Sequence, residues 1–233
     1  MAVEECRKRK VKPLASAPGS RTRPTRTAPG APPRAWQRML SGRRLDLLNP
    51  SPLDIEIADI AHGLARVARW NGQTNGDHAF SVAQHSIVVE SLLPAFWPRA
   101  SLYDRLGALL HDAPEYVIGD MISPFKTALG VDYRRFEDRL SGAIRLRFGL
   151  AADMSAEAHL RIKKADRASA YYEATSLAGF SPIEAVELFG APPAGPVPDM
   201  TPLSPVEAQS AFLTRFNELM GAIDAAGQEG SRP

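Results

Sequence analysis

The sequence predicts an all-α fold, a helical bundle, and this prediction depends on three observations. Capping residues stand directly ahead of segments whose apolar residues recur three and four positions apart, the spacing of one helix face. No convincing segment alternates apolar and polar residues, as a half-buried strand does. Hydrophobic residues make up 44% of the 233 residues and charged residues 23%, so a globular core is expected rather than wholesale disorder.

Three helices are predicted in the first half of the chain, and a serine opens each of them. Ser51, followed by Pro52, predicts the first helix, whose helical spacing of apolar residues continues to Ala68. Ser81 begins a capping box that opens the second helix, and Ser101 begins a similar one that opens the third.

Three further helices are predicted in the second half. Apolar residues over 133–144 mark a fourth helix, and those over 160–172 mark a fifth. Ser204, followed by a proline and a capping glutamate, predicts a last helix over about 204–225. The Pro- and Gly-rich segment 191–205, which lies between the fifth helix and the last one, is expected to be a loop packed on the surface.

The first 35 residues differ in composition from the rest. Residues 1–35 contain nine basic and two acidic residues, a net charge of +7, which leaves 19 basic and 24 acidic residues for 36–233. They also contain six prolines and almost no large apolar side chain, so we expect a disordered tail followed by a domain over 36–233. The tail is either a weak contact for a polyanion such as nucleic acid, or a solvated extension.

Several classes of protein are excluded by composition. The only cysteine is Cys6, so an intrachain disulfide or a cysteine-based zinc site cannot form, and a metal would be held by His, Asp or Glu. No apolar stretch approaches the roughly 18 residues of a membrane-spanning helix, and no secretion signal is recognisable. These observations favour a cytoplasmic protein without a membrane partner.

Four metal-competent residues stand in predicted helices: His85, His111, Asp112 and Asp166. His85 lies three positions after Val82 on the predicted second helix, so its ring is expected to point inward. Taken singly, each residue has an ordinary explanation as a hydrogen-bonded core histidine, a chance dipeptide or a surface ion pair. Together, two imidazoles and two carboxylates from three helices suit one divalent ion of Mn, Co, Zn, Fe or Ni and leave positions open for catalysis.

The surrounding segments resemble a known family. The segment from Leu110 to Lys126, LHDAPEYVIGDMISPFK, resembles the HDxxE…GDxxxPxK stretch of HD-domain 5′-deoxynucleotidases of bacteria, and compact deoxynucleotide triphosphohydrolases are similar. Three other segments stand in the family's order. They are RW at 69–70 and SVAQHS around His85, which precede this stretch, and KKADR around Asp166, which comes after it. The resemblance covers about 41–177 and implies an HD-domain helical bundle that binds one divalent metal.

The resemblance also implies catalytic roles for two acids. His85, His111, Asp112 and Asp166 would bind the metal, and Glu115 would orient or deprotonate a water molecule. If the helix continues past Pro114, Glu115 shares a face with His111 and Asp112; if the proline breaks it, Glu115 is a solvated acid at a helix end. Asp120 would be a second acid near the leaving group or sugar, or else a turn aspartate.

Substrate binding is implied for three residues. Arg69 would contact a phosphate, Trp70 would stack on a base, and Lys126 would add a charge beside the phosphoryl oxygens. Their ordinary alternatives are a core anchor for Trp70 and a solvated surface residue for Lys126.

The function implied by the resemblance is metal-dependent hydrolysis of small nucleotides. The expected reaction converts a 5′-deoxynucleoside monophosphate to nucleoside and phosphate. One alternative is removal of triphosphate from a deoxynucleoside triphosphate, and another is a non-catalytic HD protein that binds nucleotide or nucleic acid. The expected partners are the nucleotide substrate and further copies of the chain in a homo-oligomer.

Overall fold

The computed structural model describes residues 35–121 and 131–229, and within these ranges it is mostly helical, which confirms the all-α prediction. A short hairpin comes first, formed by β1 (Trp36–Arg38) and β2 (Arg44–Asp46). The helices of the described ranges are α1 (Ile57–Leu64), α2 (Val82–Phe96), α3 (Leu102–Leu109), α4 (Glu115–Ile118), α5 (Val131–Arg147), α6 (Ala156–Ser176), α7 (Pro182–Phe189) and α8 (Pro205–Glu229).

The β1–β2 hairpin was not predicted from sequence. Its strands pair antiparallel, with Trp36 opposite Asp46, and each strand is only three residues long. Three residues are too few for an alternating pattern to stand out, so the periodicity could not reveal them. The hairpin turn is fixed to α1 because Asp59 accepts a hydrogen bond from the Ser41 backbone N–H at 2.9 Å.

Side-chain caps begin the helices where the sequence predicted them, with one exception. The Ser81 hydroxyl accepts from the Gln84 N–H, and Ser101 forms a capping box with Asp104. Ser51 instead caps a 3₁₀ turn at Pro52–Asp54. The predicted first helix is therefore shorter, because the chain is extended at Ile55 and α1 starts at Ile57.

Helix α2 lies at the centre of the bundle and packs against α3, α6 and α8. Apolar residues of α1, α3, α5 and α8 form one buried cluster, and residues of α2 and α6 with Phe80 and Met200 form a second. His85 is fully buried on α2, as the helical spacing predicted. The described residues lie in one compact unit that begins at Ala35, and among them no helix combines the length and apolar character needed to cross a membrane.

Two sequence predictions fall outside the described ranges. Apart from Ala35, the predicted tail over 1–35 is not described, and neither is Lys126. The predicted loop over 191–205 is described and has no regular secondary structure up to Ser204.

A close contact at Gly63 fixes α4 against α1. A Cβ atom at Gly63 would lie 2.7 Å from Tyr116 Cβ and 2.9 Å from the Tyr116 carbonyl oxygen. We expect Gly63→Ala to displace α4 and to destabilise the protein by about 1–3 kcal/mol, the usual cost of overpacking. Denaturant unfolding would measure this change.

Gly221→Ala is the matched control for that substitution. Gly221 lies inside α8, and a Cβ atom there would meet no atom of the described residues within 4 Å. The same exchange should therefore leave stability unchanged or raise it by up to about 1 kcal/mol. Equal effects of the two substitutions would contradict the packing argument.

Candidate metal centre

Three of the predicted metal ligands lie close together where the end of α3 meets α2. One ligand atom each from His85, His111 and Asp112 lies within 4.8 Å of the others. Asp112 Oδ2 lies 3.4 Å from His85 Nε2 and 3.2 Å from His111 Nε2. Both Nε2 atoms are buried, and neither has a hydrogen-bond partner among the residues that the structure describes. Two such nitrogens facing one carboxylate oxygen are a donor set that suits a transition-metal cation.

The local fold explains why His111 presents Nε2 to this point. Helix α3 ends at Leu109, and the turn that follows is held by i→i−3 hydrogen bonds such as Ala113 N–H to the Leu110 carbonyl. His111 Nδ1 lies 2.9 Å from the Ala108 carbonyl oxygen, which only accepts hydrogen bonds. Nδ1 therefore carries the proton, and in the neutral ring Nε2 has the free lone pair.

Asp166, the fourth predicted ligand, is not part of this group of three but contacts His85. Its Oδ1 atom lies 3.3 Å from His85 Nε2, on the side of the ring that faces Asp112. Its other oxygen pairs with Lys163, one turn earlier on α6. Helix α6 therefore places Asp166 beside the His–His–Asp group, whose own carboxylate, Asp112, comes from the turn after α3.

The charges around His85 favour a cation at this point. Burial would raise the pKa of Asp112, but the neighbouring His111 and His85 hold it well below its usual range. The pKa of Asp166 is likewise lowered, because the neighbouring His85 outweighs the effect of burial. Burial and Arg69 lower the pKa of His85, yet Glu173, Asp112 and Asp166 together raise it well above 6.5. A proton or a metal cation would satisfy the same carboxylates.

Sequence reasoning missed Glu173, a buried residue of α6 that contacts the other edge of the His85 ring. Glu173 Oε1 lies 2.5 Å from His85 Nδ1. Burial alone would raise the pKa of Glu173, but Arg69 and His85 hold it at about 2. Helical spacing was the available signal, because Glu173 follows Asp166 by seven residues and so lies on the same face of α6.

The predicted substrate residues Arg69 and Trp70 lie next to Glu173 and use polar atoms to bind it. Arg69 Nε and Trp70 Nε1 donate to Glu173 Oε2 at 3.3 and 2.8 Å, and Arg69 also pairs with Asp120 at 3.1 Å. The Trp70 ring packs against Phe180 and Phe189, with centroids 5.7 and 5.9 Å apart. Contacts of Arg69 and Trp70 with substrate stay a prediction.

Glu115 begins α4 directly after Pro114, so α3 does not continue through the proline. Glu115 is nevertheless buried, with 2% of its surface exposed, rather than solvated at a helix end. Its N–H donates to the Asp112 carbonyl at 3.0 Å, which keeps it one turn from the His–His–Asp group. Its catalytic role is not tested by this placement.

A polar cavity of about 590 Å³ lies beside the His–His–Asp group. His111, Asp112 and Asp166 form part of its wall, and Arg145 and His159 form another part. The volume falls within the usual range for small-molecule sites, about 300–1,000 Å³. The cavity therefore has room for a small polar molecule in contact with the residues that could bind a metal.

The fold and this group define an all-α protein with a candidate His–Asp metal centre. Over 194 residues the chain is 54% identical to an uncharacterised protein of Rhodobacter capsulatus, covering 82% of this chain and 98% of the relative. Over 174 residues it is 33% identical to the uncharacterised protein YfdR of Escherichia coli K12, covering 71% and 85%. The chain belongs to the family that contains these two proteins. No protein-family model matches it.

Proposed function

We propose that this protein is a divalent-metal-dependent phosphohydrolase of the HD type that acts on 5′-deoxynucleoside monophosphates. The supporting observation is the convergence of His85, His111 and Asp112, with two buried Nε2 atoms that have no hydrogen-bond partner in the described ranges, beside a polar cavity that His111 and Asp112 line. The substrate class comes from the similarity of the segment around His111 to HD-domain 5′-deoxynucleotidases.

The residues fit a divalent cation. His85 and His111 would supply neutral nitrogens, and Asp112 and Asp166 would supply oxygens whose charges balance the ion. Mn, Co, Zn, Fe and Ni all accept this donor set. When bound, such an ion polarises a phosphoryl oxygen and lowers the pKa of a water molecule.

Residues of the chain would carry out the proton transfer and would hold the substrate. Glu115 would accept a proton from the attacking water, since it is a buried carboxylate one turn beyond Asp112. Asp120, held by Arg69, would stand near the leaving group or sugar. Lys126 would add a positive charge beside the phosphate, and Trp70 would contact the base.

Product identification tests the proposal. The purified chain is incubated with each of the five metals and with nucleoside mono- and triphosphates, and the phosphate products are analysed. We expect orthophosphate from deoxynucleoside monophosphates. Release of inorganic triphosphate would instead favour a triphosphohydrolase, and no product from any nucleotide would reject both reactions.

A further inference from the structure

Glu173 is a fully buried carboxylate to which the proposed chemistry gives no role. Both of its oxygens are occupied. Oε1 lies 2.5 Å from His85 Nδ1 and accepts from the Ser169 hydroxyl at 2.8 Å. Oε2 accepts from Trp70 Nε1 at 2.8 Å and from Arg69 Nε at 3.3 Å.

Four donors saturate this carboxylate. An ionised carboxylate is only an acceptor and has about four lone-pair sites, so Glu173 has none left for water or substrate. Its side chain is held in one position by groups from α2, α6 and the turn at Arg69–Gly72. A group held in this way is suited to orienting a neighbour rather than to exchanging protons with a ligand.

The neighbour that it orients is His85. Because Glu173 can only accept, the hydrogen between Oε1 and His85 belongs to Nδ1. The neutral ring then has its lone pair on Nε2, the atom that faces Asp112 at 3.4 Å and Asp166 at 3.3 Å. The Ala108 carbonyl does the same for His111, so both imidazoles present the same nitrogen.

The backbone next to Arg69 indicates that the contacts of Arg69 and Trp70 with Glu173 have a function. Trp70 and Asn71 have φ values of 56° and 51°, in the left-handed region that costs about 1–2 kcal/mol for a residue with a side chain. This turn brings two consecutive side chains, Arg69 and Trp70, to a single oxygen of Glu173. Strained backbone of this kind persists where the surroundings hold it and clusters at functional sites.

We propose that Glu173 is a positioning residue that fixes the His85 ring so that Nε2 binds the metal, and that Arg69 and Trp70 hold its far oxygen for this purpose. The inference rests on the metal centre of the proposed function. It does not require that the reaction is phosphate ester hydrolysis.

Glu173→Gln tests the proposal with little change of shape. Arg69 and Trp70 have donors only, so the amide NH₂ cannot face them and must face His85. Nδ1 of His85 then has to accept, which moves its proton to Nε2 and removes the ligand lone pair. We expect Zn²⁺ affinity, measured by competition with a chelator, to fall about 10–100-fold, the usual effect of losing an outer-shell partner.

Glu90→Gln is the matched control. Glu90 is also a buried glutamate, with 1% of its surface exposed, and it lies on α2 like His85. It accepts from Arg105 and Arg215. This variant loses a buried charge in the same way but should keep wild-type Zn²⁺ affinity; equal losses of affinity in the two variants would contradict a positioning role.

The ring nitrogens of His85 provide a second readout that does not depend on the stability of any variant. Long-range ¹H–¹⁵N spectra of the Zn²⁺-loaded wild-type protein should show His85 protonated at Nδ1 and metal-bound through Nε2. Coordination through Nδ1, or unchanged Zn²⁺ affinity in Glu173→Gln, would overturn the inference. Both readouts are independent of turnover. An inactive protein whose Glu173→Gln variant loses Zn²⁺ would refute only the proposed reaction, and an active one whose variant binds Zn²⁺ normally would refute only the inference.

Discussion

Asp112→Asn is expected to abolish metal binding and hydrolysis together. One oxygen of Asp112 faces both His85 Nε2 and His111 Nε2, at 3.4 and 3.2 Å, so this side chain joins the two imidazoles into one site. The amide is neutral and binds a cation far more weakly. Since outer-shell partners already contribute about 10–100-fold to metal affinity, loss of a direct ligand should exceed 100-fold. Metal content and phosphate release would be measured on the same preparation.

Asp153→Asn controls for the loss of a carboxylate near the site. Asp153 lines the same cavity as Asp112 but is not part of the His–His–Asp group. It should keep its metal. If Asp112→Asn retained full metal occupancy, the ligand assignment would be wrong, whatever the activity.

Local signals predicted the helix starts because capping is a local interaction. Ser81 and Ser101 bond to groups three residues ahead, so the sequence contains both partners. The same signal stands at Ser181, which forms a capping box with Glu184 at the start of α7. That helix was available from the sequence, since Ser181 is followed by a proline and then by a capping glutamate, but it was not predicted.

The core of the site was also predictable, because each ligand stands in a helix or directly after one. His85 was expected to point inward from its spacing to Val82, and both residues are fully buried. His111 and Asp112 are adjacent in sequence, so their proximity was known without the structure. The helical spacing of each element therefore determines which side chains face the centre, while the convergence of three elements needed the resemblance or the structure.

The contacts of Arg69 and Trp70 could not be predicted in this way. Their partner Glu173 lies more than 100 residues later, on α6, and only the packing of α6 against α2 brings it near. A sequence shows that an arginine is charged but not which carboxylate it meets. The positive φ at Trp70, without a glycine to indicate it, is equally invisible.

Glu115→Gln is expected to separate turnover from metal binding. Glu115 is buried at the start of α4, and its N–H bonds to the Asp112 carbonyl at 3.0 Å, so its backbone is held next to a candidate ligand. The amide keeps the size of the side chain but cannot accept a proton. Loss of a general base usually costs about 10²–10⁴-fold in rate. We therefore expect kcat to fall by that factor while Zn²⁺ affinity stays at the wild-type value.

The discriminating comparison for Glu115 is with Asp224→Asn, a change of one carboxylate to an amide at an exposed position of α8, outside the lining of the cavity. That variant should keep both kcat and metal affinity. If Glu115→Gln kept full kcat at saturating metal, proton transfer would have to be assigned to another group, and Asp120, paired with Arg69, would be the next carboxylate to test. If it lost metal and kcat together, Glu115 would act through the ligands, because a base that only accepts a proton from water contributes nothing to holding the cation.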